Sequence, residues 1–247
     1  MKRLLSIRLL SILGILALIA LGFGLGAFYM RLAPAKLVLQ QDAQVEGVTD
    51  VSSKLIEGAL EIPAIGEEKA LFIFYPGGLV RPQAYEWLGV ALSPSGVRTV
   101  IPVMPFDLAV FSATKADAYI SSSVPTIIGG HSLGGAMAAR YALTHPEIDG
   151  LVLMGAFSAA SDDLSAQELD TLVLAAEHDA LATLEEVNAG MVRLPAEAKL
   201  EIVGGAVHSF FGRYGPQAND GLPTVTRAAA ERQIINALET FFESVGR

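Results

Sequence analysis

Ser132, Asp179 and His208 combine type, chain order and surroundings in a way that can carry nucleophilic chemistry. Ser132 lies in Gly129-Gly130-His131-Ser132-Leu133-Gly134-Gly135, which contains the pattern G-x-S-x-G. The apolar run Pro125–Ile128 precedes it and reads as a buried strand. The helix-forming run Ala136–Leu143 follows it. Strand, sharp glycine-flanked turn and helix together predict a nucleophile elbow, in which a strained turn lifts the serine hydroxyl above a sheet. A serine hydroxyl is a weak nucleophile until a base takes its proton, and that base must be held by a third group.

Four histidines can supply the base. His131 follows Gly130 inside the elbow, and its side chain is expected to point away from the nucleophile's face, as a structural or pocket-lining group. His145 precedes Pro146 at the end of the predicted helix, where the helix dipole favours a surface imidazole. His178 adjoins Asp179. Only His208 lies on a glycine-rich loop after the last predicted strand, so it is assigned as general base. The acid belongs between serine and histidine, just past a strand end. Asp179 follows the run Thr171–Glu177 and fits; Glu177 is its nearest rival, and Asp162, Asp163 and Asp170 are less well placed. The competing reading of Asp179 is an N-cap for the helix after it. Two backbone N–H groups are expected to hold the oxyanion: that of Leu133, next to the nucleophile, and that of Gly78 in Pro76-Gly77-Gly78, with Leu79 as the alternative.

The elements that must position these groups alternate. Strands are read at Leu55–Ile62, Ala70–Tyr75, Val97–Val103, the elbow strand, Leu151–Met154, Thr171–Ala175 and Lys199–Val203. Helices are read at Pro82–Leu92, Thr114–Ile120, the segment after the elbow, Leu181–Leu194 and Thr224–Val245. This alternation predicts an α/β fold with a mostly parallel sheet and helices on both faces. The segment between Phe157 and Asp170 is too short for a large cap domain.

Composition narrows the class. Hydrophobic residues make up 52% of the chain, so a sizeable core is available and the composition argues against disorder. The absence of cysteine excludes disulfides, a thiol nucleophile and thiolate metal sites. Three of the 17 Lys and Arg residues (Lys2, Arg3 and Arg8) precede an uncharged run, Leu9–Met30, and no acid does. The remainder carries 14 basic against 26 acidic residues, a balance that argues against nucleic acid as a partner. Leu9–Met30 is long enough to span a bilayer and longer than a usual signal-peptide core. The expected organisation is an N-terminal signal anchor over 1–30, a linker over 31–43 and one catalytic domain over 44–247. The charge bias places that domain outside the cytoplasm on a single-pass anchor. The alternative is secretion after cleavage near Ala33-Pro34-Ala35.

From Ala70 onward the chain resembles the α/β-hydrolase superfamily, in particular its compact dienelactone-hydrolase-like and esterase-like members. It is similar to a membrane-anchored group of uncharacterised hydrolases that share Pro76-Gly77-Gly78 with Tyr85, Met104-Pro105, the G-G-H-S-L-G-G elbow, and a tail of His208, Phe211, Gly212, Tyr214, Gly215 and Gln217. The resemblance implies an α/β-hydrolase fold and a serine-dependent carboxylic ester hydrolase with the triad Ser132, Asp179 and His208. It implies no cofactor and no metal, and a small-molecule ester as substrate. Leu79, His131, Phe211, Tyr214 and Gln217 are the candidate pocket residues; Tyr214, Gln217 and Asp220 serve equally well as stabilisers of the His208 loop. Two alternatives stay open: a thioesterase, peptidase or acyltransferase on the same triad, and a non-catalytic binding protein that keeps the fold. Oligomeric state is not legible.

Overall fold

Every side chain of Ala70–Tyr75 is buried, and consecutive residues enter opposite faces of one sheet. That strand is β3 of an eight-stranded sheet seen in a computed structural model. The structure describes residues 51–56, 58–120 and 123–245, with Val48 and positions 14, 15, 18–22, 24–26 and 28. The other strands are β1 (Lys54–Ile56), β2 (Ala59–Ile62), β4 (Val97–Pro102), β5 (Thr126–His131), β6 (Gly150–Met154), β7 (Asp170–Ala176) and β8 (Lys199–Val203). Their spatial order is β1-β2-β4-β3-β5-β6-β7-β8. β1 and β2 run antiparallel to their neighbours, and the six strands from β4 to β8 are parallel.

Four helices cover the sheet among the described residues: α1 (Glu86–Leu92), α2 (Leu133–Ala142), α3 (Leu184–Gly190) and α4 (Arg227–Ser244). Phe72 and Phe74 pack with Trp87 and Leu88 of α1 and with Ile234, Leu238 and Phe241 of α4. Leu71, Ile73 and Tyr75 pack on the other face with Met137 and Ala138 of α2 and Val187 of α3. An all-apolar parallel strand between two helical layers is the arrangement the continuous run in β3 requires. Thr183 and Glu186 close a capping box at the start of α3, and the Thr226 side chain caps α4.

Several element boundaries differ from expectation. The single strand expected over Leu55–Ile62 is a hairpin, β1 and β2, turned at Gly58, whose φ of +82° suits glycine. Pro82–Leu92 opens with a 3-10 turn, Pro82–Tyr85, before α1 begins. Thr114–Ile120 contains only a 3-10 turn, Lys115–Ala118, and α3 starts at Leu184 because Thr183 rather than Asp179 caps it.

The chain divides into two compact units, Met1–Pro34 and Ala35–Arg247. In the first, the described positions are helical, with Ile15, Leu18, Ile19, Leu21, Leu25 and Phe28 exposed. The expected span Leu9–Met30 lies partly, and the expected linker 31–43 wholly, outside the described residues. Among the described residues no helix is long and apolar enough to cross a membrane.

Candidate active site

β5 ends on Gly129-Gly130-His131, and the chain turns into α2 through Ser132, whose φ of 53° and ψ of −123° lie far from strand or helix values. A side chain at Gly130 would approach the Gly134 carbonyl carbon to 2.5 Å. One at Gly134 would overlap the Tyr75 and Pro76 carbonyl oxygens. The two glycines are therefore fixed by backbone crossing backbone, with no slack for a methyl group. Ser132 N–H donates to Met154 O at 3.0 Å, which fastens the turn to the end of β6. The serine is half-buried and so within reach of solvent.

Asp179 follows β7 and His208 follows β8, at the same sheet end as the elbow. Their side chains meet: His208 Nδ1 lies 2.7 Å from Asp179 Oδ2, and both side chains are almost wholly buried. The other carboxylate oxygen accepts the N–H groups of Leu181 and Ala182, both at 2.8 Å. Asp179 thus has a fixed orientation before any substrate arrives, and its hold on Nδ1 leaves Nε2 as the imidazole nitrogen available for proton transfer. The His208 ring centroid stands 4.4 Å from that of His131, the residue before Ser132. No hydrogen bond joins Ser132 Oγ to His208 among the described residues; contacts of this kind commonly tighten only when substrate binds.

The loop carrying His208 is held from both sides. Asp220 accepts the N–H groups of His208 at 3.0 Å, Ser209 at 2.9 Å and Gly221 at 2.8 Å. Arg227, at the start of α4, donates to the carbonyls of Ser209, Gly212 and Tyr214. Tyr214 donates to Gln217 at 2.6 Å. These interactions make the tail a clamp on His208.

The candidate oxyanion donors can be sorted by which N–H groups are already bonded. Gly77 N–H donates to Tyr85 Oη at 3.0 Å, Leu79 N–H to Asp107 O at 2.7 Å and Val80 N–H to Gly77 O at 3.1 Å. Gly78 N–H has no hydrogen-bond partner among the described residues, and neither does Leu133 N–H at the first turn of α2. Of Gly78 and Leu79, only Gly78 keeps a donor free for a ligand. That outcome depends on an unusual backbone: Leu79, Phe106 and Asp107 have φ values of 61°, 55° and 55°, left-handed conformations rare for residues with side chains.

The remaining predicted residues fall as follows. His131, Phe211 and Tyr214 are buried and pack on one another beneath the site, with ring centroids 5.6 and 6.0 Å from His131. Leu79 and Gln217 are partly exposed. Glu177 is exposed and accepts Gly205 N–H at 2.7 Å, and Asp162 pairs with Arg140 at 3.0 Å, so neither reaches His208. His178 Nε2 stands 3.3 Å from Thr224 Oγ1. The Asp107 carbonyl and Arg227 were not read as parts of the site from sequence, and Asp220 was read only by its place after His208, as a stabiliser of that loop. A carbonyl leaves no residue-type signal, and Asp220 and Arg227 act on backbone atoms. Among the described residues no cluster of three or more His, Asp or Glu side chains could hold a metal ion.

The alpha/beta hydrolase family model matches residues 71–232, a span that runs from β3 into the first third of α4 and includes every residue of the site just described. No curated protein matches the chain significantly. The chain belongs to the alpha/beta hydrolase family.

Proposed function

We propose that this hydrolase cleaves carboxylic esters through Ser132, His208 and Asp179. The observation that carries the reading is the buried 2.7 Å contact between His208 Nδ1 and Asp179, whose second oxygen is tied to two backbone N–H groups, beside a serine in a strained elbow. His208 Nε2 takes the Ser132 proton as Oγ attacks the acyl carbonyl, and the carbonyl π electrons move to the oxygen. The Gly78 and Leu133 N–H groups hold that oxyanion. Collapse of the tetrahedral intermediate expels the alcohol, which leaves with the proton from His208. Water then attacks the acyl-enzyme with His208 again as base, releasing the acid and restoring Ser132. Asp179 does not take the proton; it orients His208 and stabilises the imidazolium. The substrate is a small-molecule ester, and the uncharged run Leu9–Met30 supports a membrane-anchored, extracytoplasmic placement of the domain.

The test is labelling of the protein with a fluorophosphonate, alongside turnover of p-nitrophenyl acetate. Wild type is expected to label and turn over; Ser132→Ala and His208→Ala are expected to do neither while keeping the wild-type circular dichroism. A folded wild type that does not label, or a Ser132→Ala variant that keeps turnover, removes the assignment. Comparison of matched ester, thioester and anilide substrates separates esterase from thioesterase and peptidase activity.

A further inference from the structure

Among the buried polar side chains that catalysis as derived above leaves unused are Tyr85 and His131, both fully enclosed. Tyr85 Oη receives the Gly77 N–H at 3.0 Å and lies 2.8 Å from His131 Nδ1. An N–H can only donate, so the phenol oxygen accepts from Gly77 and has its own proton to give to Nδ1. That assigns the His131 proton to Nε2, and the hydrogen-bond chain runs in one direction from Gly77 through Tyr85 to His131. The fit is tight. A methyl group on Gly77 would come 2.8 Å from His131 Nδ1 and 2.9 Å from Tyr85 Oη, so both side chains press directly on that peptide.

The pair touches all three parts of the site. Gly77 adjoins Gly78, the free oxyanion donor. His131 adjoins Ser132. On the far side, the His131 ring packs on His208, Phe211 and Tyr214, and Arg213 N–H of the same loop donates to Ala84 O, next to Tyr85, at 2.7 Å. The arrangement has a cost: His131 is fully buried, and its Nε2 has only the His208 backbone beside it, without a hydrogen bond of ordinary geometry. An apolar pair would fill the space without that cost, so the polar pair calls for a reason. Both members stay neutral. Burial raises the Tyr85 phenol, and burial together with the neighbouring His208 holds His131 well below the usual imidazole range.

We propose that Tyr85 and His131 are positioning residues, which hold the Gly77–Gly78 peptide against the elbow so that the Gly78 N–H faces the developing oxyanion. The inference rests on the serine-hydrolase reading above. A group that orients an oxyanion donor acts on the transition state more than on the bound substrate, so its loss lowers kcat and leaves KM in place.

The experiment compares Tyr85→Phe with wild type on p-nitrophenyl acetate and follows the rate of fluorophosphonate inactivation, which also builds negative charge on oxygen. Expected are a fall of about tenfold or more in kcat, KM within about twofold, and a parallel fall in the inactivation rate. Tyr141→Phe is the control. It removes another buried phenol, one bonded to Asp117 at 2.6 Å away from the oxyanion loop, and is expected to keep kcat within about twofold at a comparable loss of stability. Should Tyr85→Phe fail to fold, His131→Gln and His131→Leu decide. The glutamine amide oxygen can accept from Tyr85, so His131→Gln is expected to keep several-fold more kcat than His131→Leu. Unchanged kcat in Tyr85→Phe, equal losses in the two His131 variants, or an equal loss in Tyr141→Phe would overturn the inference. Loss of activity in Ser132→Ala within the same series shows that the underlying reading stands in that event, and retained activity there overturns both.

Discussion

Two histidine–aspartate pairs occur among the described residues, and only one has the burial and fixed geometry that the proposed catalysis needs. His208 and Asp179 meet at 2.7 Å with both side chains almost fully buried. His145 and Asp117 meet at 3.6 Å at the end of α2, with the Asp117 side chain 57% exposed. The residue types are the same, yet the surroundings differ. Asp179 is fixed by two backbone N–H groups and His208 by the Asp220 clamp on its loop. His145 instead stacks flat on Tyr141 at 3.7 Å and lies 2.7 Å from the Tyr141 carbonyl, a capping role at a helix end. In water an ion pair of the second kind contributes about 0–1 kcal/mol and salt screens it. The buried pair keeps its geometry because the backbone holds it, and geometry sets the tautomer that catalysis needs.

That contrast can be broken at several strengths. The largest effect is expected from Asp179→Asn. An amide in that place turns the His208 tautomer around, so Nε2 carries a proton and can no longer accept one from Ser132. We expect kcat for an aryl ester to fall by about 10³–10⁴ with the fold intact, measured by steady-state kinetics beside circular dichroism. If Asp117→Asn produced a comparable fall, the division between the two pairs would be wrong. Next comes Asp220→Ala, which frees the His208 and Ser209 N–H groups; about a tenfold loss in kcat with little change in KM is expected.

A smaller effect concerns stability against pH. His131 is held well below the imidazole value of 6.5 by burial and by His208. Below about pH 6.5 the unfolded chain binds a proton at this position that the folded chain does not, so stability is lost as the pH falls through that value. The contribution is fully present above it. The slope from this one group is at most about 1.4 kcal/mol per pH unit, and chemical denaturation across pH 5–8 should show a flatter profile in His131→Phe than in wild type. The smallest effect is expected from Asp117→Asn: activity within about twofold and a stability change of about 1 kcal/mol or less, shrinking further in high salt.

The elbow was legible in the sequence because its requirement is local: only glycine leaves room at positions 130 and 134, so the chemistry writes itself into residue types. The meeting of Asp179 with His208 was legible because both follow strand ends at one edge of the sheet, and the run into β7 and the Gly204-Gly205 loop after β8 marked those ends. Which of the Gly78 and Leu79 N–H groups stays unclaimed was not legible. It turns on the carbonyl of Asp107, and no residue type announces where a distant carbonyl will point. The hairpin of β1 and β2 was hidden for a different reason. Alternation continued through Gly58, so the pattern read as one strand while the backbone reversed.

Five described non-glycine residues have left-handed backbones, and four of them, Leu79, Phe106, Asp107 and Ser132, include the proposed nucleophile and the segments that settle which N–H stays free. Conformations of this kind cost on the order of 1–3 kcal/mol each and persist only where the rest of the molecule enforces them. For anyone stabilising this protein, these positions are where glycine substitutions would look most profitable on a melting curve. They are also where such gains are least useful. A glycine at 79 or 106 would relieve the strain and at the same moment release the turn that leaves the Gly78 donor unclaimed. Selection for heat resistance alone would therefore drift toward a firmer, slower molecule, whereas selection for turnover would keep these four residues as they are.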